Sequence, residues 1–583
     1  MTRPAFDAVI GVWDGHDAGA ALIADGRVQL ALNEERLTFR KLEVGFPRLA
    51  VQAMRDDAPG RRIAWAVTTS DPAKTLTRLI PSSKERYYRL RRRLDLPGPF
   101  DGLTQALKYR LTQWSPNPAL GLHTRHWFAR QLGVPREDVF LVNHHEAHAS
   151  AAAFWPAWSG DGAVVTLDGI GDGESGSLWA WENSSASLRK LVSLPGRASL
   201  GLFFEHVTQA LQMRPLEDEG KVMALATYAV AVPPEKNEFL RWFDLRTGPD
   251  GLPVLACSVA PSRMARAVAD VVWRVPREQV CRMAQDTLEA LVPPIFAALA
   301  RATGRDEFAY AGGVASNIKV NRLVRRLPEV RRLHVCPAMG DGGLALGAAL
   351  SVSRSVLGVR PAPFEDFRLG RDHGDLGREA GRLAASAGAT FTRPPDIADA
   401  VAELLARGEV VMWAQGRMEL GARALGARSI VARADSTAAR DDLNLRLKRR
   451  VWYQPFCPSM LASEAPALLA DYRGDDDFNG HMTNGFVCTP RGLATLAGAV
   501  GHDGSCRPQM VRDDAATPWA RLLHAMRDRT GVGAVINTSL NLHGKPMPDT
   551  AEGVIEAWLD CRVPHLALGS ALLSKSSAAT PSA

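Results

Sequence analysis

Cysteine is scarce and unpaired in this sequence. Seven residues in 583, at Cys257, Cys281, Cys336, Cys457, Cys488, Cys506 and Cys561, form an odd set with no Cys-x-x-Cys spacing. That argues against both a disulfide framework and a zinc ribbon. No uninterrupted apolar run of about 18 residues occurs, so no membrane-spanning helix is expected. Met1–Asp7 holds no basic segment followed by an apolar one; a secretory signal is therefore not expected, and the expected location is cytoplasmic. Charge of one sign is also lacking. Lys and Arg total 70 against 63 Asp and Glu, a net +7, and Arg far outnumbers Lys. So mild an excess does not mark a nucleic-acid binder, and none is expected as partner. With 46% apolar and 23% charged residues, neither disorder nor coiled coil fits. The chain is long enough for roughly four domains of about 150 residues, or for two larger ones.

What is present reads as α/β. Ala8–Trp13 is an apolar β-like run, Asp14-Gly15-His16-Asp17 breaks it, Ala18–Ile23 resumes it, and Asp25-Gly26 marks a hairpin before Val28–Leu32. The pattern returns at Ala163–Trp181, where Asp168-Gly169-Ile170-Gly171-Asp172-Gly173 separates Val164–Leu167 from Gly176–Trp181. Two strand–Asp-Gly–strand units suggest a duplicated fold. Phe308–Ala311, Gly312-Gly313 through Asn317 and a helix from Lys319 follow. Then come a strand at Val335–Pro337, the loop Met339–Gly343 and a small-residue helix at Leu344–Val352. Arg360-Pro361-Ala362-Pro363 is stiff and helix-breaking. This divides the chain into 1–355, a linker 356–370, a second domain 371–573 and a Ser/Ala/Pro-rich tail 574–583 expected to fray. The second domain holds a helix at Ile397–Arg407, a strand at Glu409–Ala414, and a strand Gly533–Ile536 ahead of Asn537-Thr538-Ser539. Arg86–Arg93 is a basic, helix-like run that reads as a solvated face.

Four groups of residues carry chemistry. The paired Asp-Gly turns, with Gly312-Gly313, suit a cleft in which backbone N–H groups line nucleotide phosphates, with Asp14 and Asp168 close to them. As isolated features they are ordinary hairpin turns; as a matched set they favour a nucleotide. In His144-His145-Glu146-Ala147-His148, a helix places His144 and His148 on one face one turn apart. Two imidazoles plus a carboxylate, best supplied by Asp341, form a ligand set for a divalent metal with open positions, and spacing does not select among iron, zinc, manganese and magnesium. The alternative is a histidine cluster at a helix start satisfied by backbone and water. From Gln415 to Ser429, Arg417, Arg423 and Arg428 interleave with glycines, as in a surface that holds phosphate or carboxylate oxygens. An Arg-rich helix is disfavoured there by its repeated glycine. Lys448-Arg449-Arg450 adds positive charge, and Asn537–Asn541 adds hydroxyl and amide groups.

These blocks, in this order, resemble the O-carbamoyltransferases of antibiotic and nodulation-factor biosynthesis. The resemblance rests on Gly15-His16-Asp17-Ala18, Glu34-Glu35-Arg36, His144–His148, Gly220-Lys221-Val222-Met223, Gly312–Asn317, Gly416–Ser429 and Asn537-Thr538-Ser539 with Gly544, and spans about 9–572. Departures are Ala18-Gly19, where members often carry Ser or Thr, and Ala422, where a proline often stands. The resemblance implies an N-terminal duplicated domain of actin/hexokinase type (ASKHA, Kae1-like) and a C-terminal YrdC-like α/β domain. It implies that carbamoyl phosphate and ATP yield carbamoyl adenylate in the second domain, and that the first transfers the carbamoyl group to a hydroxyl. Residues carried over are His16 as general base and Asp168 as a further catalytic group. Asp14, Lys41, Gly312, Gly313, Asn317, Arg417, Arg423, Arg428, Ser429, Lys448, Arg450, Asn537 and Ser539 would hold nucleotide and carbamoyl phosphate. His144, His148 and Asp341 would hold the metal, iron by resemblance, with magnesium accompanying ATP. The implied acceptor is a small molecule, a sugar or polyketide alcohol, in part shaped by Ala53–Gln113; a homodimer is a further expectation.

Three rival readings stand beside this one, the third from a different class. A hydrogenase-maturation carbamoyltransferase carries an upstream acylphosphatase domain and paired-Cys motifs; the first strand here starts near Ala8 and no Cys pair exists. A tRNA threonylcarbamoylation enzyme would show salt-dependent tRNA binding. A non-catalytic nucleotide-binding scaffold would bind ATP without releasing pyrophosphate.

Overall fold

In a computed structural model the described residues are 6–68, Arg78, 118–386, 388–542 and 544–575. Among them the chain is mixed α/β and clusters into two compact units. One contains Met1–Glu34 and Leu42–Glu365, the other Glu35–Lys41 and Asp366–Ala583. The Pro-rich stretch packs on the first unit: Ala362 N–H donates to Gly26 O (2.8 Å) and Phe364 N–H to Trp155 O (2.9 Å). Arg86–Arg93, most of the expected acceptor-shaping stretch and the tail beyond Lys575 lie outside the described residues.

In the first unit, β1 (Ala8–Trp13), β2 (Gly19–Ala24), β3 (Arg27–Asn33), β4 (Ile63–Thr68) and β5 (Val139–Val142) form a sheet of order β3-β2-β1-β4-β5. β1 pairs antiparallel with β2 (Trp13↔Gly19) and parallel with β4 (Ala8↔Ile63). The second sheet uses β6 (Gly162–Gly171), β7 (Glu174–Glu182), β8 (Ser187–Pro195), and later in the chain β11 (Glu307–Ala311) and β12 (Arg332–Val335). An antiparallel ribbon of β9 (Phe243–Thr247) and β10 (Pro253–Cys257) intervenes. Its order, β8-β7-β6-β11-β12, matches the first, as does its mixture of antiparallel β6–β7 and parallel β6–β11 pairing. The strand expected at Val335–Pro337 lies earlier, at β12. It pairs there with β11, Glu307↔Arg332 through Tyr310↔Val335.

Helix His144–Ala153 packs on the second sheet, helix Leu344–Ser355 packs on the first, and the two helices pack on each other. Their small residues are what allow this. A Cβ on Gly347 would lie 1.8 Å from Ala147 O, and one on Gly11 of β1 would lie 1.8 Å from Ala345 O. Backbone meets backbone, so no side-chain rearrangement relieves the clash. The consequence is a helix pair held rigidly between two sheets, with the loops after β1 and β6 opening beside the start of His144–Ala153.

In the second unit, β13 (Ala389–Thr392), β14 (Val411–Ala414), β15 (Arg428–Arg433), β16 (Cys457–Leu461), β19 (Gln509–Val511), β20 (Ala534–Ser539), β21 (His565–Leu568) and β22 (Ala571–Lys575) form a mixed sheet ordered β13-β22-β21-β14-β15-β20-β16-β19. β17 (Phe486–Val487) and β18 (Ser505–Cys506) pair separately. Alternate side chains enter different cores. Val411, Trp413 and Val431 pack with helices Ile397–Ala406 and Pro518–Thr530, while Met412, Ala414, Ile430 and Ala432 pack with Val554, Ile555 and Trp558 of helix Ala551–Leu559. Burial on both faces explains why these strands read as continuous apolar runs. Asn537-Thr538-Ser539, expected beyond a strand, instead complete β20. Asn537 is tolerated in its interior because its Nδ2 donates to Ala424 O (3.1 Å) and Ser459 Oγ (3.0 Å).

Replacing Gly347 with Ala is expected to cost about 1–3 kcal/mol by overpacking. Urea unfolding followed by a probe in the first unit checks this; an unchanged midpoint would mean that the helix pair has slack.

Candidate metal centre and anion pocket

The local sequence of the first site explains its geometry. Asn143 caps helix His144–Ala153, its side chain accepting from His145 and Glu146 N–H. Asp172, in the loop after Gly171, accepts from His144 N–H (2.8 Å) and Asn143 Nδ2 (3.2 Å). A carboxylate at a helix start is favourable in itself. The ring of His144 then occupies space that a side chain at 171 would fill: a Cβ there would lie 2.2 Å from the imidazole. His144 and His148 share one face, ring centroids 4.8 Å apart. His145 turns away and bonds Thr166 Oγ1 (3.0 Å) and Glu174 O (3.1 Å). Burial and the neighbouring His144 and His148 push its pKa well below the usual value.

One ligand atom from each of His144, His148, Asp168 and Asp341 falls within 4.8 Å of every other. His144 Nε2 is 3.2 Å from Asp168 Oδ2 and 3.7 Å from Asp341 Oδ1; His148 Nε2 is 3.5 Å from each of the same oxygens. Ligands at about 2.1 Å around a tetrahedral ion stand about 3.4 Å from one another, and the four imidazole–carboxylate separations lie close to that value. His148 Nε2 is buried and makes no hydrogen bond, as befits a nitrogen aimed at a cation position. The residues therefore fit a divalent metal. The N₂O₂ donor set suits zinc, iron and manganese and does not choose among them.

The charges agree. Burial would lower the pKa of His148, but the facing Asp168 and Asp341 raise it from 6.5 to about 9. Burial would raise Asp341, but His16 and His144 outweigh it and hold the carboxyl at about 2. Asp168 is likewise held well below the usual range by His144 and His148. Without an ion a proton on His148 supplies the cation that the carboxylates require; a metal takes its place.

His16 borders this cluster. Its Nε2 is 3.1 Å from Asp341 Oδ2 and its Nδ1 is 3.1 Å from Asp17 Oδ2. Asp168, expected beside nucleotide or acceptor, is placed among the metal-ligand set, and its Oδ1 also accepts from Gly313 N–H (2.6 Å). Gly312 has φ +93 and no room for a Cβ, which would lie 2.1 Å from Leu167 O, so the turn can close on β6 only with glycine. Asn317 caps the next helix, accepting from Val320 N–H, and exchanges amide bonds with Gln285. Asp14, expected near phosphates, is buried in a bidentate pair with Arg78 (2.8 and 3.1 Å).

The second unit gathers positive charge. Gln415–Ala427 is neither helix nor strand; buried Glu419 Oε1 organises it by accepting from Leu425, Ala427 and Arg428 N–H (2.7, 2.7 and 3.2 Å). Lys448 is fully buried. Its Nζ donates to Ser539 O, Asn541 O and Asn541 Oδ1, all neutral acceptors. Burial, with Arg450 and Lys41 adding like charge, pushes its pKa well down. Burial and nearby Arg507 lower Arg423 to about 9, and burial lowers Arg450 to about 10. Among the described residues no carboxylate pairs with Arg423, Lys448, Arg450 or Arg507. Arg507 instead donates to Cys457 Sγ (3.0 and 2.9 Å). A fully buried ammonium and half-buried guanidiniums without counter-charge make a place for an anion. A left-handed Arg449 (φ +47) lets Lys448 and Arg450 both turn inward while Arg449 stays exposed.

Other expected residues are engaged by the protein's own backbone and side chains. Arg428 is fully buried and its donors go to backbone carbonyls of Gln415, Gly416, Ala427, Pro548 and Asp549. Arg417 donates to Gly370 O and Leu369 O, and Ser429 Oγ accepts from Gly426 N–H. Ser539 Oγ donates to Asn541 Oδ1. Asp17, Arg507 and Glu419 were not singled out from the sequence. Asp17 follows a flagged histidine directly and was the most findable; an arginine before Pro508 and a lone glutamate carry no local signal.

Comparison with known proteins places residues 83–235 and 268–350 in the family model described as Carbamoyltransferase N-terminus, and 402–575 in Carbamoyltransferase C-terminus. The chain is 29% identical to nodulation protein NolNO of Sinorhizobium fredii, over 97% of this chain and 79% of that protein. It is 32% identical to nodulation protein NolO of Bradyrhizobium diazoefficiens, over 74% and 79%. It is 27% identical to 3'-hydroxymethylcephem-O-carbamoyltransferase of Amycolatopsis lactamdurans, over 70% and 76%. Among the described residues no helix is long and apolar enough to cross a membrane.

Metal binding at pH 7 is expected to release protons, and apparent affinity to rise with pH until about 9, the pKa of His148. Titration calorimetry with zinc or manganese in two buffers of different ionisation enthalpy measures the protons released. In the metal-free protein the raised His148 pKa contributes stability that is fully present below 6.5 and lost as pH climbs through about 9. The depressed Asp341 contributes above 3.8 and loses its contribution as pH falls through about 2. A thermal midpoint that is flat from pH 6 to 9 would contradict the former.

Proposed function

The chain belongs to the carbamoyltransferase family, and from that we propose an ATP-dependent O-carbamoyltransferase working in two steps, one in each unit. The observation that carries this reading is the uncompensated cluster of fully buried Lys448 with half-buried Arg423, Arg450 and Arg507. In that pocket the second unit binds carbamoyl phosphate and the ATP phosphates. Condensation to carbamoyl adenylate consumes one water and releases both inorganic phosphate and pyrophosphate. The guanidinium fork of Arg423 matches phosphate oxygens, and Lys448 provides a point charge held by carbonyls. A water-poor pocket strengthens both interactions.

In the first unit the adenylate is the carbamoyl donor. A carbamoyl carbon is a poor electrophile because nitrogen donates into the carbonyl; joined to a phosphate it gains a good leaving group. The acceptor hydroxyl attacks that carbon, its proton goes to His16, and AMP departs with the electron pair of the broken C–O bond. The loop after β6 is read as lining the phosphates; the N–H groups of Gly312 and Gly313 donate to Met339 O and Asp168 Oδ1. The matching strand orders support reading the first unit as a duplicated actin/hexokinase-type fold, with the second as the YrdC-like partner. His144, His148, Asp168 and Asp341 would hold the metal; when bound, it supplies Lewis-acid stabilisation of charge on phosphate oxygens. Iron is the metal that the family resemblance favours. For the acceptor we propose an alcohol of a small secondary metabolite, supported by the hydroxymethyl group in the name of the cephem relative.

The test is pyrophosphate release from ATP with carbamoyl phosphate and no acceptor, against a control lacking carbamoyl phosphate. Release that depends on carbamoyl phosphate is expected, and Arg423→Ala should reduce it by about 10²-fold. Release independent of carbamoyl phosphate would overturn the first step.

A further inference from the structure

Asp168 joins the metal-ligand set from a break in β6. The register with β7 is lost between Leu167 and Gly171, and pairing with β11 ends at Thr166. Carbonyls between these points need partners outside the ladder. Residues 196–201, which lead into helix Leu200–Ala210, supply them although none of the six carries a metal-ligating group. Ser199 is buried, and the one proton of its hydroxyl is shared between Asp168 O (3.0 Å) and Gly169 O (2.7 Å). The same oxygen accepts from Leu202 N–H (2.9 Å) and so caps the helix. Gly201 packs against the same peptide: a Cβ there would stand 2.6 Å from both C and O of Asp168. At the far end of the loop Gly196 N–H donates to Gly173 O (2.9 Å), and a Cβ on Gly196 would fall 2.9 Å from that oxygen.

Asp168 is thus fixed twice. Ser199 and Gly201 hold its main chain, and Gly313 N–H holds its Oδ1 (2.6 Å). What remains is Oδ2, which lies 3.2 Å from Nε2 of His144 and 3.5 Å from Nε2 of His148. We propose that Ser199 is a positioning residue for the metal centre: by tying down the Asp168–Gly169 backbone it sets where Asp168 Oδ2 stands, and with that the affinity and geometry of the bound ion. Gly201 contributes by letting the helix come close enough for the hydroxyl to reach. The proposal rests on the reading that His144, His148, Asp168 and Asp341 hold a divalent metal. Ser199 touches no ligand atom and acts through the main chain of Asp168. A ligand whose backbone can shift must be ordered when the ion binds, and affinity falls by the cost of that ordering.

The probe is cobalt(II), followed by titration calorimetry and by the visible d–d bands of the loaded protein. The parent chain is compared with Ser199→Gly, Ser199→Thr, Gly201→Ala and Asp168→Asn. Glycine caps a helix nearly as well as serine but has no hydroxyl to donate; threonine keeps both cap and donor. Ser199→Gly is expected to weaken cobalt binding by about 10–100-fold and to shift the bands, with a urea midpoint close to the parent's. Ser199→Thr should restore both affinity and spectrum. Gly201→Ala presses on the same peptide and should also weaken binding and shift the bands; it carries the test if Ser199→Gly does not fold. Parent-like affinity and bands in Ser199→Gly and Gly201→Ala, with binding lost in Asp168→Asn, overturn this proposal alone. A threonine variant as weak as the glycine variant overturns it too, because the donor would not be what matters. Weak binding matched by a lowered urea midpoint would make Ser199 a helix cap only, and the proposal falls. Undiminished binding in Asp168→Asn, or no cobalt binding by the parent, overturns the four-residue metal reading and the proposal together.

Discussion

The backbone contact between helices His144–Ala153 and Leu344–Ser355 is the constraint on which the first unit depends. Gly347 against Ala147 O and Gly11 against Ala345 O leave no space for even a methyl group. Two helices far apart in sequence are therefore locked in register with both sheets. Asp341 just precedes one of these helices and His144 begins the other. Their approach is a result of packing and not of any attraction between them, which by itself would not repay the desolvation of two buried carboxylates. The family's chemistry, in this chain, is built on small residues far less conspicuous than the histidines.

The two units treat buried charge in opposite ways. In the first, imidazoles and carboxylates stand in near balance, and whichever cation is present, proton or metal, completes the set. In the second, Lys448 is buried among carbonyls, Arg450 lies over the Phe456 ring, Arg507 bonds the Cys457 thiol and Arg423 is half-buried near them. That pocket is electrically incomplete and gains by admitting an anion. That contrast is the physical ground for the two-step division of labour we propose.

Much of this was legible from residues because it was local. The strand–Asp-Gly–strand units are short-range patterns, and the i, i+4 histidines announce a shared helix face whatever the surroundings. What was not legible depended on partners distant in sequence. Asp168 lies in β6 and Asp341 follows β12 of the same sheet, but only pairing of β6 with β11 brings Gly313 and Asp168 together. Arg428 and Arg423 look alike in the Arg-Gly segment; the first is saturated by carbonyls and the second is not, a difference set by residues 548 and 549. Asn537 reads as a loop residue because amides are rare inside strands, and tertiary partners overrode that preference.

The wiring of Arg428 has a consequence for sequence drift. All five carbonyls it binds belong to the main chain, at Gln415, Gly416, Ala427, Pro548 and Asp549. Those hydrogen bonds require the path of the backbone and are indifferent to the side chains it bears. The framework beneath the anion pocket can thus persist while the residues around it change. One guanidinium keeps the two segments in place whatever side chains the surface around them comes to carry.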